Sequence, residues 1–443
     1  MGDAGKWWGV GYNVQEGSLS ARALWRGVDY QPTMPDDILE LKLTGIAHGG
    51  EALGKVDARV IFVAFALPGE RVRVQLVEVH KRWARARLLE VLEPSPYRID
   101  PACPYFGPGR CGGCQWQHIA REAQTDYKAR ILRDQLQRLG GLKKPRILPT
   151  RAADEPWRYR TQMVFYPAGE VLGLRRVGSY EALSIEACPI LHPDLEALFR
   201  DFNVAWDGLR SVDLAVSRST GEKLVALRTR RDEAPAIEVD FPVSIVLERS
   251  DGRVQPLVGQ PWYFETIAGH TYRFSAGARR PFNIPATALL IETVRELLAA
   301  GPGHAVMDVY AGQGLFTLGL AEQVSLIIGV EENPYAIEDA AFSCGHLDNV
   351  VLHEGPPPKV LRKLKDPIDL AIVSPPEEGL GHRIPQNLAR LGAHRVAYVA
   401  SNPATLARDI EKMQAAHYRF VEAVAVDIAP QTYYFTTVAL FSR

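Results

Sequence analysis

Residues 306–321 read VMDVYAGQGLFTLGLA, and this stretch decides the fold. An apolar run ending at Asp308 predicts a buried strand, and LFTLGLA predicts an apolar helix. Between them, Gly312 and Gly314 predict a turn that lets the backbone approach a ligand at the carboxyl edge of a sheet. A dinucleotide fingerprint needs a third glycine three residues on, where Thr317 stands. The spacing suits S-adenosylmethionine better, with Asp308, Tyr310, Gly312 and Gly314 as binding residues. A second strand, IIGVE, ends at Glu331, 17 residues after Gly314. An acid there is placed to accept ribose hydroxyls. The plainer reading is a tight turn plus a helix-capping acid.

Outward from this centre the pattern alternates. ATALLIETVRELLAA, YAIEDAAFSC and TLARDIEKMQ read as helices; SLIIGVE, DLAIVS and RVAYVAS read as strands. Such alternation predicts a parallel, doubly wound, Rossmann-like sheet over residues 271–443. Residues 398–410, YVASNPATLARDI, bring a strand to Ser401 and start a helix near Ala404. Ser401 or Asn402 is suited to cap that helix. The same loop would also lie at the sheet edge that carries Gly312 and Gly314.

Towards the N-terminus the character changes. Residues 36–100 hold short alternating runs punctuated by glycines, which predicts a small antiparallel β-barrel. Residues 1–35 show no periodicity and read as an extension, either a disordered tail or the product of an upstream start codon. Residues 101–270 form a central α+β region. It begins with a helix over 118–139, whose Ile119, Tyr127, Ile131, Leu132, Leu136 and Leu139 share one side. The chain is therefore read as multidomain.

Three cysteines, Cys103, Cys111 and Cys114, fall within CPYFGPGRCGGCQWQ, and Cys188 lies in ACPIL. Four thiolates can hold a cubane cluster or a structural zinc. The Cys111-x-x-Cys114 pair lets two sulfurs reach one centre. Cys344 stands alone on a helix and reads as a small core residue.

The 443 residues carry 51 Lys+Arg against 52 Asp+Glu, with 47% hydrophobic residues. That excludes a disordered or collagenous chain. No apolar run reaches the length of a membrane span. Five cysteines do not make a disulfide scaffold, so a reducing, cytoplasmic setting is expected. Charge is uneven: residues 101–150 hold 9 Lys+Arg and 3 Asp+Glu, whereas residues 301–443 hold 11 and 16. The basic segment is suited to attract a polyanion.

Taken together, residues 36–443 resemble the RNA uracil-5-methyltransferase family, in particular the branch that modifies 23S ribosomal RNA. FVAFALPGERVRV and VLEPSPYR resemble its TRAM domain, an OB-like RNA-binding barrel. The cysteines resemble its [4Fe-4S] site, with two extra residues between Cys103 and Cys111. DVYAGQGLFTL, GVE, SNPATLARD and QTYYFTTVALF resemble its cofactor and catalytic motifs.

The resemblance implies a definite chemistry. A cysteine thiolate adds to uracil carbon 6, carbon 5 takes the methyl group, and a base removes the carbon-5 proton. At the family's nucleophile position this chain has Ser401. At the base position it has Thr436, and at the Asp of the Asp-Pro-Pro-Arg loop it has Ser374, followed by Pro375, Pro376 and Glu377. Tyr434 replaces a histidine, and Asn283 replaces a glutamine that contacts the cofactor. Losing a base costs about 10²–10⁴-fold, and losing the thiolate removes the covalent route. The expectation is a member of the family that binds adenosylmethionine and ribosomal RNA, acts as a monomer, and is impaired in uracil methylation. Methylation of a more nucleophilic RNA atom, or a non-enzymatic role in ribosome assembly, are the alternatives. Phosphate contacts are expected from Arg71, Arg73, Lys81, Arg82 and Arg85 on the barrel, and from Lys128, Arg130, Lys143 and Lys144 on and after the helix. Tyr433, Tyr434 and Phe435 read as core aromatics or as a base-stacking platform.

Overall fold

A computed structural model of the chain describes residues 38–202, 206–237 and 239–443. The extension read at residues 1–35 lies outside the described residues. Strands β1 (Ile38–Ile46), β2 (Ala52–Val56), β3 (Arg59–Val63), β4 (Arg71–Val79) and β5 (Trp83–Glu93) close into the OB-like barrel that the resemblance implies, in the order β1-β2-β3-β5-β4. The expected antiparallel pairing needs one correction: the β4–β5 hairpin brings β5 back beside β3, and those two strands run parallel. Period-2 alternation drives the barrel: in RVRVQLVEV, Val72, Val74 and Leu76 are buried, and Arg71 is exposed. The carboxylate of Glu70, fully buried, is clamped at both oxygens by Arg98, at 2.5 and 2.8 Å, which ties the barrel to the chain leaving it.

Helix α1 (Arg121–Arg138) buries Tyr127, Ile131, Leu132 and Leu136 as expected, but Leu139 lies beyond it and is 54% exposed. The structure corrects the reading of Lys128. Its side chain is wholly buried, pairs with the buried Asp427 and donates to the Ala429 carbonyl at 3.2 Å. It lies on the same arc as Gln124 and Ile131, the arc that faces the protein. Lys128 therefore anchors α1 and offers nothing to a phosphate.

A two-residue strand, β6 (Arg151–Ala152), follows. The central region is a seven-stranded sheet of β7 (Gln162–Ala168), β8 (Val171–Arg175), β9 (Ala182–Ser184), β10 (Leu209–Val216), β11 (Lys223–Thr229), β12 (Ser244–Glu248) and β13 (Val254–Val258). Helix α2 (Pro193–Asp201) packs on it, with Phe199 stacked on Phe165 at 4.4 Å. A hairpin, β14 (Trp262–Ile267) and β15 (His270–Ser275), leads into the C-terminal part.

There, α3 (Ile284–Leu298), β16 (Ala305–Val309), α4 (Leu315–Ala321), β17 (Leu326–Glu331), α5 (Pro334–Cys344), β18 (Val350–Glu354), α6 (Pro357–Lys363), β19 (Leu370–Val373), α7 (Arg383–Leu391), β20 (Arg395–Ala400) and α8 (Pro403–Ala415) alternate. They are followed by β21 (Arg419–Asp427) and β22 (Thr436–Ser442). The eight-stranded sheet runs β18-β17-β16-β19-β20-β22-β21-β6. Strands β16 to β20 are parallel and nearly all apolar, as strands covered on both faces must be. The expected all-parallel sheet needs one correction: β22 inserts antiparallel between β20 and β21. No helix among the described residues is long and apolar enough to cross a membrane.

Candidate active site

The carboxyl ends of β16, β19 and β20 share one edge of the sheet, and antiparallel β22 begins at that edge. After β16, Tyr310 turns with φ +64° and Gly314 caps α4 with φ +80°. A Cβ at Gly314 would sit 3.2 Å from the Ala340 Cβ, so the close turn requires glycine twice over.

Glu331, at the end of β17, closes the turn. Its Oε2 accepts the Gly312 N–H at 2.9 Å, and its Oε1 accepts the Glu332 and Asn333 N–H groups at 2.9 and 2.8 Å. A carboxylate has about four lone-pair sites, so one remains on Oε2. Asp308 is fully buried; its Oδ2 accepts from the Thr317 hydroxyl at 2.7 Å, while Oδ1 has no partner. Burial pushes the Asp308 carboxyl up to about 7, against the Thr317 bond and with help from Glu331. Asn283 is 1% exposed and caps α3: Oδ1 accepts the Ala286 N–H and Nδ2 donates to the Ile428 carbonyl. Both ends of that amide are bound within the protein.

Ser374 follows β19 and donates its N–H to the Val309 carbonyl at 3.1 Å, beside the glycine turn. Its buried Oγ has no partner. Ser401 ends β20, and Asn402, not Ser401, caps α8. Ala400 pairs with Thr437, so Ser401 and Thr436 stand at matching ends of adjacent strands. They are about two to three strand spacings of 4.8 Å from β16. Three buried polar atoms on this edge, Asp308 Oδ1, Ser374 Oγ and Thr437 Oγ1, lack a partner. Native interiors leave few such atoms.

Beside Glu377, Tyr433 and Tyr434 stand residues that the sequence did not single out, Arg279 and His48 among them. Arg279 reaches solvent, yet burial pulls its guanidinium pKa down and Glu377 pushes it back. Burial pushes the Glu377 carboxyl up, and Arg279 opposes it. Tyr433 and Tyr434 stack at 4.2 Å with their hydroxyls 2.8 Å apart. His48, from the β1–β2 loop of the barrel, packs its edge on Tyr433 and bonds Asn402; burial lowers its pKa. The loop approaches closely because Gly50, with φ +87°, leaves no Cβ to strike Trp116 and Tyr433 at 2.9 Å. Gln431, with φ +68°, exchanges amide hydrogen bonds with Gln124 and pins the β21–β22 loop to α1. His48 sits far from the motifs in sequence, whereas Arg279 is only four residues before Asn283 and carried no signal of its own.

The four cysteines converge. Cys111 Sγ accepts the Gly113 N–H at 3.4 Å, and the Gly112 N–H donates to the Arg175 carbonyl on β8. Cys114 and Cys188 are buried in one apolar cluster, and none of the four is in a disulfide. Burial pushes the Cys188 thiol up to about 12, with further upward pressure from Cys111 and Cys103. Among the described residues, no group of three or more His, Cys, Asp or Glu side chains is arranged to hold a metal ion, the four cysteines included. A cavity of about 760 Å³ is lined by Glu292 and Arg295 of α3 and by Glu322 just past α4, and none of the expected site residues lines it.

Against known proteins, residues 32–89 match the TRAM domain. An RNA methyltransferase of Streptomyces avermitilis is 33% identical over 90% of this chain and 97% of its own length. The chain belongs to the RNA methyltransferase family. The 23S rRNA (uracil(1939)-C(5))-methyltransferase of Alkalilimnicola ehrlichii is 31% identical, covering 93% of this chain and 98% of that one. The tRNA (uracil-54, C5)-methyltransferase of Pyrococcus abyssi, solved with S-adenosyl-L-homocysteine, superposes with TM-score 0.72 at 23% identity over 91% of this chain and 100% of that one. That likeness carries the fold.

On the surface of this methyltransferase-family chain the expected phosphate contacts divide. Arg71 and Arg73 pair with Glu40, Glu90 and Glu93, Arg85 with Glu51 and Glu78, and Arg130 with Asp126. Lys81, Arg82, Lys143 and Lys144 are exposed and make no side-chain ion pair among the described residues.

Proposed function

We propose that this protein binds structured RNA, ribosomal RNA first, together with S-adenosylmethionine, and does not methylate uracil at carbon 5. The observation that carries this reading is the placement of Ser401 and Thr436 at matching strand ends on the glycine-turn edge. The scaffold of the reaction is kept where a thiolate and a carboxylate would act, and a hydroxyl stands at each place. A serine hydroxyl needs an adjacent base to attack, and Thr436 accepts no proton as a carboxylate does. Cys344 supplies no substitute thiol: it is 2% exposed and packs behind Gly314.

Adenosylmethionine is assigned to the edge bounded by Asp308, Tyr310, Gly312, Gly314 and Glu331. The spare lone pair of Glu331 and the unpartnered polar atoms support a polar ligand there. The cofactor would supply an electrophilic methyl group; the residues of this chain bind and orient it. RNA is assigned to the barrel region, 36–100, and to the basic positions around α1, with the chain acting as a monomer. Cys103, Cys111, Cys114 and Cys188 are assigned a [4Fe-4S] cluster on the resemblance, and the shared apolar cluster of Cys111, Cys114 and Cys188 supports it. Its role would be structural, joining the Cys188 segment to the loop after the barrel.

Glu377 favours a second reading. A carboxyl with a raised pKa in the cleft is suited to take a proton from a nucleophilic RNA atom, with no covalent adduct. A tritiated-methyl assay on ribosomal RNA with purified protein separates the readings. No transfer is expected; stoichiometric 5-methyluridine refutes the proposal, and a methyl mark on another atom favours the second reading. Calorimetry with adenosylmethionine tests the cofactor, and absence of binding would leave a non-enzymatic RNA factor.

A further inference from the structure

The segment between β15 and α3 is stapled along the carboxyl edge of the sheet. Asn333, two residues past Glu331, donates its Nδ2 to the Gly277 carbonyl at 3.1 Å. Gln313, in the glycine turn after β16, donates its Nε2 to the Arg279 carbonyl. Between them Gly277 passes so close to Tyr335 that a Cβ would strike the ring. The backbone of Arg279 is thus tied to the ends of both β17 and β16. Glu377, in the loop after β19, is fixed from the other side. Thr405 of α8 donates its hydroxyl to the Glu377 carbonyl at 2.9 Å, and Asp409 of α8 accepts the Leu380 N–H at 2.6 Å. Gly379, with φ +89°, has no Cβ to meet the Asp409 carboxylate. The Arg279 and Glu377 side chains are near enough for each to bias the other's charge. Even so, no ion pair joins them, and the Arg279 guanidinium makes no hydrogen bond among the described residues. Two separately stapled backbones hold a cation and an anion close together and unpaired.

We propose that Arg279 and Glu377 bracket the amino-acid end of S-adenosylmethionine, the guanidinium holding its carboxylate and the Glu377 carboxylate its ammonium. The inference rests on the cofactor part of the reading above and gives that site a second anchor. With the ribose on Glu331 at β17 and the methyl group turned towards Ser401 and Thr436, the amino-acid end is directed past β16 to β19, where this couple stands. A zwitterion brings one charge of each sign and satisfies both side chains, whereas a phosphate would pair with Arg279 and be repelled by Glu377. On this assignment Glu377 is engaged by the cofactor and is not free to act as a base, in keeping with the absence of methyl transfer proposed above.

The test is calorimetry with three adenosine ligands on wild type, Arg279→Ala and Glu377→Gln. S-adenosylhomocysteine carries the carboxylate and the ammonium, decarboxylated S-adenosylmethionine keeps the ammonium alone, and 5′-methylthioadenosine has neither. Arg279→Ala is expected to weaken S-adenosylhomocysteine by about 10–100-fold, as loss of hydrogen bonds to a charged group does, and to leave the other two within about 3-fold. Glu377→Gln should weaken both ammonium-bearing ligands by about 10-fold and spare 5′-methylthioadenosine. Retained 5′-methylthioadenosine binding certifies the fold of each variant. If either variant weakens 5′-methylthioadenosine as much as S-adenosylhomocysteine, or if wild type binds those two equally well, the bracket is overturned while the cofactor reading stands. If Arg279→Ala keeps its S-adenosylhomocysteine affinity and loses RNA affinity, the guanidinium serves a phosphate and the bracket is likewise overturned. If wild type binds none of the three, the cofactor reading falls and the bracket with it.

Discussion

Glu331 Oε2 accepts the backbone N–H of Gly312 at 2.9 Å, so the acid that ends β17 holds the glycine turn after β16 in shape. The same carboxylate braces the turn and offers its spare lone pair to a ligand. Glu331→Ala should therefore weaken adenosylmethionine binding by about 10–100-fold, the worth of one or two hydrogen bonds to a charged group. Glu331→Gln should lose less, because it keeps an acceptor. Calorimetry measures both, and wild-type affinity in the alanine variant would remove Glu331 from the site.

Asp308 makes stability depend on pH. Burial raises its pKa to about 7, so the folded state keeps a proton that the unfolded chain releases above about pH 4. Stability from this site is full below about pH 4 and is lost as pH rises to about 7. Asp308→Asn stays neutral throughout. Between about pH 5 and pH 8 the stability difference should move in favour of the variant by about 2–3 kcal/mol. Urea denaturation at the two pH values reads this directly; an identical difference at both would mean that Asp308 ionises normally.

Lys128 and the pair Lys143 and Lys144 should behave as opposites. Lys128→Ala leaves the buried Asp427 with Arg121 alone and is expected to cost about 3 kcal/mol of stability. RNA affinity of the folded fraction should not change. Replacing Lys143 and Lys144 together with alanine should leave stability within about 0.5 kcal/mol and flatten the dependence of log K on log salt by up to about 2. A variant at 128 that folds normally but loses salt dependence would restore that lysine to the RNA face.

These contrasts mark what the sequence could and could not carry. The strands β16, β17, β19 and β20 were legible because each is a short apolar run between helical repeats, and local pattern is enough for that. The insertion of β22 was not, because its pairing with β20 is settled by packing. Lys128 looked like a solvent-facing cation because its partner Asp427 lies 299 residues away. His48 reaches Tyr433 and Asn402 through tertiary contacts that no spacing encodes. Asn283, which the resemblance names as a cofactor contact, spends its amide on capping α3 and binding the Ile428 carbonyl.

The cysteines give a prediction with a visible readout. Anaerobically purified protein should be brown and hold about four irons per chain, as a [4Fe-4S] cluster requires. Cys188→Ala should lose the colour and part of the stability, because that residue bridges from the central region to the Cys111 loop. A colourless preparation with stoichiometric zinc would overturn the cluster.

The last prediction concerns the vacated chemistry. Ser401 and Thr436 lie at neighbouring strand ends, and Ser374 hangs from Val309 beside the glycine turn. On the proposed reading these are the positions of a nucleophile, a base and an aspartate, and a sulfur and two carboxylates are what they lack. The triple variant Ser401→Cys, Thr436→Glu and Ser374→Asp should gain measurable transfer of methyl groups to uracil in ribosomal RNA where wild type has none. Omitting Thr436→Glu should reduce that transfer by about 10²–10⁴-fold. Omitting Ser401→Cys should abolish it, because carbon 5 then has no route to an enolate-like state. A triple variant that folds, binds adenosylmethionine and RNA, and still transfers nothing would mean that the cleft itself, through Tyr434, Glu377 and Arg279, has been reshaped away from uracil.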